Sequence, residues 1–163
     1  MRFVGVFNQD GGTFRTMDMA AFVATAERIF AEHGQSIECR VVGADQLIAE
    51  LERAAADPAV EAVLAGGGDG TISAAAGICF THKMALAVLP AGTMNLFARS
   101  LGVPLQLEAA LGAIARGEVA AVDIATANGR PFVHQFSVGL HSRLVRIRNG
   151  LTYHSRWGKM LAS

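Results

Sequence analysis

The residues best suited to chemistry lie in one short stretch, GGGDGT at 66–71, which follows an apolar strand-like run and precedes a helix-like run. Glycine lets main-chain N–H groups approach a phosphate closely, and the first turn of a helix adds unpaired N–H groups and a positive dipole end. This pattern predicts a phosphate site. A strand-to-helix turn also uses glycine for purely steric reasons, so the turn on its own leaves both interpretations open.

Asp69 puts a negative charge in the middle of this turn. A carboxylate beside a phosphate is repelled at close range unless a cation lies between them. Mg²⁺ is usually bound by one or two carboxylates together with phosphate oxygens, and it keeps several of its waters. We therefore interpret Asp69 as an anchor for hydrated Mg²⁺, directly or through water. The alternative is an N-cap of the following helix, and the two roles are compatible.

Two further turns of similar composition follow other strand-like runs. PAGTMN at 90–95 has a Gly-Thr pair ahead of a helix-like segment, and NQDGGT at 8–13 follows the first run. In an α/β sheet, ligands bind beyond the carboxyl ends of the strands. Three such turns on one edge of one sheet would form a continuous polar rim.

Hydrophobic periodicity predicts alternating strands and helices along most of the chain. The predicted strands are 2–8, 37–43, 60–66 and 84–90, and the predicted helices are 17–33, 45–56, 71–80, 94–100 and one from Pro104 to Gly117. The apolar third strand is typical of a parallel sheet covered on both faces. The predicted fold is therefore α/β, a three-layer α/β/α doubly wound and mostly parallel sheet.

The pattern changes after Gly117. Two strand-like runs, VAAVDIATA at 119–127 and RPFVHQFSVGL at 130–140, flank Asn128-Gly129. An Asn-Gly pair between two such runs is a strong hairpin signal. We therefore predict the start of a second, antiparallel β-rich domain.

The predicted division is an α/β domain over 1–118 and an incomplete β-rich domain over 119–163. Charge is also unevenly placed, since every Asp and Glu lies at or before Asp123. The basic residues beyond it are Arg130, Arg143, Arg146, Arg148, Arg156 and Lys159. Either the acids that balance this tail lie downstream in a larger protein, or the tail is attracted to anionic lipid headgroups or phosphates.

Composition limits the class of protein. The chain has 163 residues, of which 52% are hydrophobic and 7% aromatic, as suits helices packed on a sheet rather than disorder. No apolar run is long enough to span a bilayer, and the first run is too short for a signal peptide. Cys39 and Cys79 are too few for a disulfide framework or a zinc site, and Cys79 is expected to be a small buried hydrophobe. A cytoplasmic protein is expected.

Two motifs together carry a family resemblance. GGGDGT at 66–71 with PAGTMNLFARSLGVP at 90–104 resembles the catalytic family of diacylglycerol kinases, sphingosine kinases and bacterial lipid kinases. The resemblance extends over most of 1–142, because VDIATANGRPFVHQFSVGL is similar to the start of that family's second domain. It implies an ATP-dependent, Mg²⁺-dependent lipid kinase that transfers the γ-phosphoryl group to a lipid hydroxyl, with a diacylglycerol-like acceptor.

The resemblance also implies the binding residues. ATP would be held by Asn8, Thr13, Gly67, Gly68, Asp69, Gly70, Thr71, Gly92, Thr93 and Asn95. Mg²⁺ would lie near Asp69 and Asp123, held through water, although a simple turn aspartate is an equal alternative at Asp123. The expected partner is a lipid at a membrane surface, with peripheral contact at the inner face and no nucleic acid. A homo-oligomer is left open.

The chain departs from the family pattern in ways that bear on activity. The first turn lacks the usual proline and hydroxyl, Leu96 stands where Asp is usual, and His141 stands where Asp is frequent. In the family the catalytic base is a carboxylate far along the second domain, and no Asp or Glu follows Asp123 here. The base is therefore expected beyond Ser163, and the 163-residue chain alone is predicted to be inactive.

Two other functions compete with this one. NAD kinases share the GGDGT turn, but their second signature contains a Glu that PAGTMNLFARSLG lacks near Asn95. A non-catalytic nucleotide- or lipid-sensing module with the same fold would be consistent with Leu96 and His141. A Rossmann oxidoreductase fits less well, because the first turn, NQDGGTF, is not G-x-G-x-x-G.

Overall fold

A four-stranded parallel sheet forms the centre of the protein in the computed structural model, which describes residues 1–134. The strands are β1 (Arg2–Asn8), β2 (Ser36–Val42), β3 (Ala62–Gly67) and β4 (Ala85–Pro90), in the order β2-β1-β3-β4. Because β1 and β4 both pair with β3, the loops that leave these three strands start side by side.

Among residues 1–134, five α-helices cover the two faces of the sheet. They are α1 (Met19–Glu32), α2 (Leu47–Ala56), α3 (Asp69–His82), α4 (Leu96–Ser100) and α5 (Leu107–Ala115), and a short 3₁₀ turn occupies Gly12–Thr16. Helices α2 and α3 pack with Val4, Val6 and Val63 on one face, whereas α1 and α5 pack with Phe7 and Leu64 on the other. This arrangement confirms the predicted three-layer α/β fold.

The buried strands explain why the sequence pattern was informative. Both faces of β1 are covered, so Val4 and Val6 alternate with Phe3 and Phe7 and all four side chains are buried. Phe7 also contacts Phe14 and Phe22 edge-on, with ring centroids 5.8 and 5.2 Å away. These contacts attach the first loop and α1 to the sheet.

The segment after α5 differs from the prediction. The predicted hairpin is present, with Asn128 and Gly129 at φ 52° and 75°, as a type I′ turn requires. Its strands are much shorter than predicted: β5 is Ala125–Ala127 and β6 is Arg130–Phe132. Residues 118–124 are not in a strand, and the remainder of the predicted second run, 135–140, lies outside the described residues.

Smaller corrections concern helix ends. Helix α3 starts at Asp69 rather than at residue 71, and α5 starts at Leu107, so Pro104 precedes the helix instead of occupying its first turn. Within residues 1–134, no helix has the length and apolar character needed to cross a membrane.

Candidate functional site

The three predicted turns converge at the carboxyl edge of the sheet. Pairing of β3 with β4 places Gly67 opposite Pro90, and pairing of β1 with β3 places Phe7 opposite Gly66. The chain therefore leaves β1, β3 and β4 at one level. The continuous polar rim that the sequence indicated is present in the structure.

The turns after β3 and β4 touch through their glycines. The N–H of Ala91 donates to the carbonyl oxygen of Gly67 at 3.0 Å. A Cβ placed on Gly92 would lie 2.5 Å from the Cα of Gly68, which is too close for any residue with a side chain. Glycine at position 92 is thus needed for the close approach of two main chains.

The turn after β1 is attached to the same place. Thr13 donates its N–H to the carbonyl oxygen of Ala91 at 2.7 Å, and a Cβ on Gly12, at φ +53°, would lie 1.7 Å from that oxygen. The side-chain amide of Asn8 donates to the hydroxyl of buried Thr71 at 3.3 Å. Gly12 and Ala91 were not among the predicted site residues, and the Gly11-Gly12 pair was the only sequence signal for them.

Asp69 joins the turn after β3 to the turn after β4. Its Oδ1 accepts the N–H of Leu96 at 2.6 Å, and its Oδ2 accepts the N–H of Asn95 at 3.1 Å. A carboxylate at the start of a helix is favoured by the exposed N–H groups and by the helix dipole. The predicted N-cap role toward α3 is wrong, because Gly68 is the N-cap of α3, whereas Asp69 bonds the N-terminus of α4.

Asn95 stabilises the conformation of the turn after β4. Its backbone is left-handed, with φ 51° and ψ 45°, a conformation that Asn adopts more readily than most residues. Its side chain accepts the N–H of Gly92 and donates to the carbonyl oxygen of Gly92, both at 2.9 Å. Arg99, which was not predicted as a site residue, supports this turn by donating from Nε to the carbonyl oxygen of Met94 at 2.8 Å.

The N-terminus of α3 is left open by these contacts. The N-cap, Gly68, forms no side-chain hydrogen bond, and the first N–H groups of a helix have no partner within it. A Cβ on Gly70 would meet no atom within 4 Å. Thr93 is exposed on the facing turn. The arrangement offers main-chain N–H groups and a positive dipole end to an anion.

Asp123 lies elsewhere in the described structure. It is exposed in the segment between α5 and β5 and shares no hydrogen bond or ion pair with the turns among residues 1–134. Within that same range, no group of three His, Cys, Asp or Glu side chains could hold a metal ion. Asp69 is therefore the carboxylate that the structure brings into contact with two of the turns.

The two cysteines are unsuited to catalysis. Burial raises the pKa of the Cys79 thiol to about 12, with a smaller contribution from the charge of Glu52. Burial likewise raises the pKa of Cys39 to about 12, and the charges of Glu27 and Glu38 act in the same direction. Both thiols stay protonated at neutral pH, and Cys79 is buried as predicted, whereas Cys39 is partly exposed.

Comparisons with known proteins agree with this geometry. Residues 2–127 match the family described as diacylglycerol kinase catalytic domain. A protein of Yersinia enterocolitica named probable lipid kinase YegS-like is 32% identical over 121 residues, which are 72% of this chain and 41% of that protein. A protein of Enterobacter sp. strain 638 with the same name is 37% identical over 118 residues, or 69% of this chain and 40% of its own length.

A solved structure gives the same result for the fold. The crystal structure of a diacylglycerol kinase from Bacillus anthracis strain Sterne superposes with a TM-score of 0.65 at 25% identity, over 80% of this chain and 47% of that one. The chain thus spans less than half the length of these curated relatives and of this structural neighbour. With its matched motifs and its fold, the chain belongs to the diacylglycerol kinase catalytic domain family.

Proposed function

We propose that the three converging turns bind the phosphates of ATP and that the protein transfers the γ-phosphoryl group to a lipid hydroxyl. The observation that carries this proposal is the uncapped N-terminus of α3, which opens onto free space beside Gly70. Family membership adds the reaction class, and the names of the relatives add a lipid acceptor. A diacylglycerol-like lipid is the proposed acceptor.

Each turn has a distinct role in this proposal. The N–H groups of Gly68, Gly70 and Thr71 would donate to phosphate oxygens, since they lie at the N-terminus of α3, where no side chain caps the helix. Gly67 and Gly92 allow the main chains to approach, and Thr93 adds a hydroxyl from the opposite side. Phosphoryl transfer depends mainly on such positioning and on neutralising charge around the γ-phosphate.

Asn8, Thr13 and Asn95 support the site from within. Asn95 is only 9% exposed and both ends of its amide are bonded to Gly92. Asn8 bonds Thr71, and the N–H of Thr13 bonds Ala91. Their contribution to nucleotide binding would therefore come largely through the shape of the turns, with the exposed Thr13 hydroxyl free to contact the ligand.

The carboxylate of Asp69 could hold a hydrated Mg²⁺. Both carboxylate oxygens of Asp69 already accept one N–H each, and each retains a further lone pair. This fits contact with a hydrated ion through water better than direct ligation. Mg²⁺ bound to the nucleotide would supply charge neutralisation, and Asp69 would orient its waters. A role for Asp123 in the same network requires a part of the protein beyond the described residues to bring it near.

The acceptor side of the reaction is proposed to need residues other than the described 1–134. Among residues 1–134, the carboxylates of the three turns already hold main-chain N–H groups in place, Asp69 those of Asn95 and Leu96 and Asp10 that of Ala44. Neither is proposed as the base. We therefore propose that the 163-residue chain binds Mg-ATP but transfers no phosphoryl group.

The test is titration calorimetry of Mg-ATP into the chain and two variants. Gly70→Val places its Cβ in the open space at α3, where no atom lies within 4 Å, so we expect the fold to be kept and binding to weaken at least tenfold. Gly77→Ala is the matched control on the same helix, where the new Cβ would meet Pro131 at an ordinary 3.6 Å. Equal affinity of all three proteins would refute the phosphate site.

Two further experiments distinguish a lipid kinase from an NAD kinase-like enzyme and from a non-catalytic sensing module. Displacement of ATP by NAD but not by lipid would favour an NAD kinase-like enzyme. Tight Mg-ATP binding by a longer protein containing this chain, without transfer of labelled phosphate to diacylglycerol in mixed micelles, would favour a non-catalytic sensing module.

A further inference from the structure

Arg99 carries a positive charge that no carboxylate neutralises among residues 1–134. Its Nε donates to the carbonyl oxygen of Met94 at 2.8 Å, and the residue is exposed. A guanidinium has five N–H donors, so four remain for a ligand after this bond. Because arginine stays charged in proteins and its donors lie in one plane, it is well suited to binding a phosphate group.

One peptide group connects Arg99 to the site. The peptide between Met94 and Asn95 donates its N–H to Oδ2 of Asp69 at 3.1 Å and accepts the Nε–H of Arg99 on its carbonyl oxygen. This peptide is trans, so its N–H and its carbonyl point in opposite directions. The carboxylate of Asp69 and the guanidinium of Arg99 therefore lie on opposite sides of the turn after β4. Nε of Arg99 is at most about 8 Å from Oδ2 of Asp69.

This separation determines what an anion would meet. Asp69 and Arg99 form no ion pair, and both oxygens of Asp69 already accept main-chain N–H groups. An anion beside Arg99 is attracted by a full positive charge, while the turn keeps it away from the carboxylate. Arg15, in the 3₁₀ turn after β1, is the other cation close in sequence to the turns, but no contact like the one to Met94 fixes its side chain among the described residues.

The position of Asp69 indicates which phosphate Arg99 would meet. In the proposed site, Mg²⁺ accompanies the β- and γ-phosphates beside Asp69, since this ion bridges those two groups in phosphoryl transfer. Arg99 is joined to Asp69 through one peptide, so the charged end of the nucleotide is nearer to it than the nucleoside. We propose that Arg99 binds the γ-phosphate and makes the site prefer ATP to ADP. This inference rests on the proposed phosphate site.

The alternative is that Arg99 only stabilises the turn after β4. In that case it acts through the carbonyl group of Met94, and its loss displaces Gly92 and Thr93. Those residues serve ATP and ADP alike in the proposed site, so a purely structural role lowers both affinities by a similar factor. A contact with the γ-phosphate lowers the affinity for ATP alone. The ratio of the two dissociation constants therefore distinguishes the two roles.

The test is titration calorimetry of Mg-ATP and of Mg-ADP into the 163-residue chain and its variants. Arg99→Gln removes the charge, so the affinity for ATP should fall about tenfold or more, while the affinity for ADP should stay within about twofold. Arg99→Lys keeps the charge without the planar set of donors, so its loss of ATP affinity should be smaller. Retained binding of ADP also shows that the variants are folded.

Arg116→Gln is the matched control for the loss of one charge. Arg116 is exposed and likewise has no carboxylate partner among residues 1–134. It lies 3.3 Å from Nε2 of His33, which ends α1 shortly before β2 begins, at the amino edge of the sheet. Because this edge is opposite to the three turns, the variant should bind both nucleotides as the unsubstituted chain does.

Three outcomes would overturn the inference, and they can be told apart. An unchanged ratio of ATP to ADP affinity in Arg99→Gln, together with weaker binding by Gly70→Val, would overturn the role of Arg99 and leave the phosphate site intact. Unchanged nucleotide affinities with weaker binding of Arg99→Gln to phosphatidylglycerol vesicles would assign its donors to a lipid headgroup instead. Absence of binding of either nucleotide to the unsubstituted chain would overturn both this inference and the proposed function.

Discussion

Replacing Gly92 with alanine should separate two of the converging turns. The added Cβ would lie 2.5 Å from the Cα of Gly68 and 3.0 Å from Oδ1 of Asn95. Ordinary contacts of a Cβ are 3.4–4 Å, so the two main chains must move apart by roughly 1 Å. Overpacking of this kind typically costs about 1–3 kcal/mol. The shift also strains the hydrogen bonds between Asn95 and Gly92.

Gly68→Ala is a control at the same contact. A Cβ on Gly68 would lie 3.6 Å from the Cα of Gly92, and the φ of Gly68 is −83°, which alanine adopts without strain. The contact is therefore asymmetric. Gly92→Ala should destabilise the protein, and Gly68→Ala should leave its unfolding free energy within about 0.5 kcal/mol, as for substitutions that meet no steric conflict.

Thermal unfolding and Mg-ATP titration measure the two consequences. For a chain of this size 1 kcal/mol corresponds to about 2–4 °C, so Gly92→Ala should lower Tm by about 2–12 °C. Its affinity for Mg-ATP should fall at least tenfold, because the phosphate donors of the two turns no longer share one geometry. A Gly92→Ala protein with unchanged Tm and affinity, or an equal loss in Gly68→Ala, would refute the reasoning.

Three further changes have definite expected outcomes. Asp69→Ala should lower the free energy of unfolding by about 1–2 kcal/mol in chemical denaturation, because it removes both acceptors at the N-terminus of α4. Asp69→Asn should lower it less, because one acceptor oxygen remains. Equal stability of the unsubstituted protein and both variants would contradict the bonds to Asn95 and Leu96. Asn95→Gly should be less destabilising than Asn95→Ala in the same assay, since glycine keeps the left-handed backbone while both variants lose the bonds to Gly92. The free energy of unfolding should fall as pH rises from 9 toward 12, because the Cys79 thiol loses its proton at a lower pH in the unfolded chain than in the folded one. Cys79→Ala should make this fall with pH less steep. An equally steep fall in the variant would show that Cys79 is not responsible.

The layers of the fold could be predicted because buried positions are occupied by apolar residues at regular spacing along the sequence. Strand β3 is apolar throughout since helices cover both of its faces, and α1 places Phe22, Ala26, Ile29 and Phe30 on one buried stripe. The strands of the hairpin were overestimated for the converse reason. The run 119–127 has strand-like composition, but only Ala125–Ala127 has a partner among the described residues, and pairing is what makes a strand.

The turns were visible in the sequence, but the bonds between them were not. Glycine spacing indicated three turns on one edge of the sheet, and the structure brings them together. The partner of Asp69 lies 26 and 27 residues away and depends on where α4 begins, which no local pattern specifies. The same holds for Gly12, whose importance comes from the carbonyl oxygen of Ala91 in the turn after β4.

The most direct measurement is an NMR titration of the full chain with a non-hydrolysable Mg-ATP analogue. The largest amide shifts should occur at Gly68, Gly70 and Thr71, with smaller ones at Gly92 and Thr93, and should saturate at one nucleotide per chain. Shifts that cluster instead outside the three turns, or no saturable shift at the turns, would contradict the proposal that these main-chain amides hold the triphosphate.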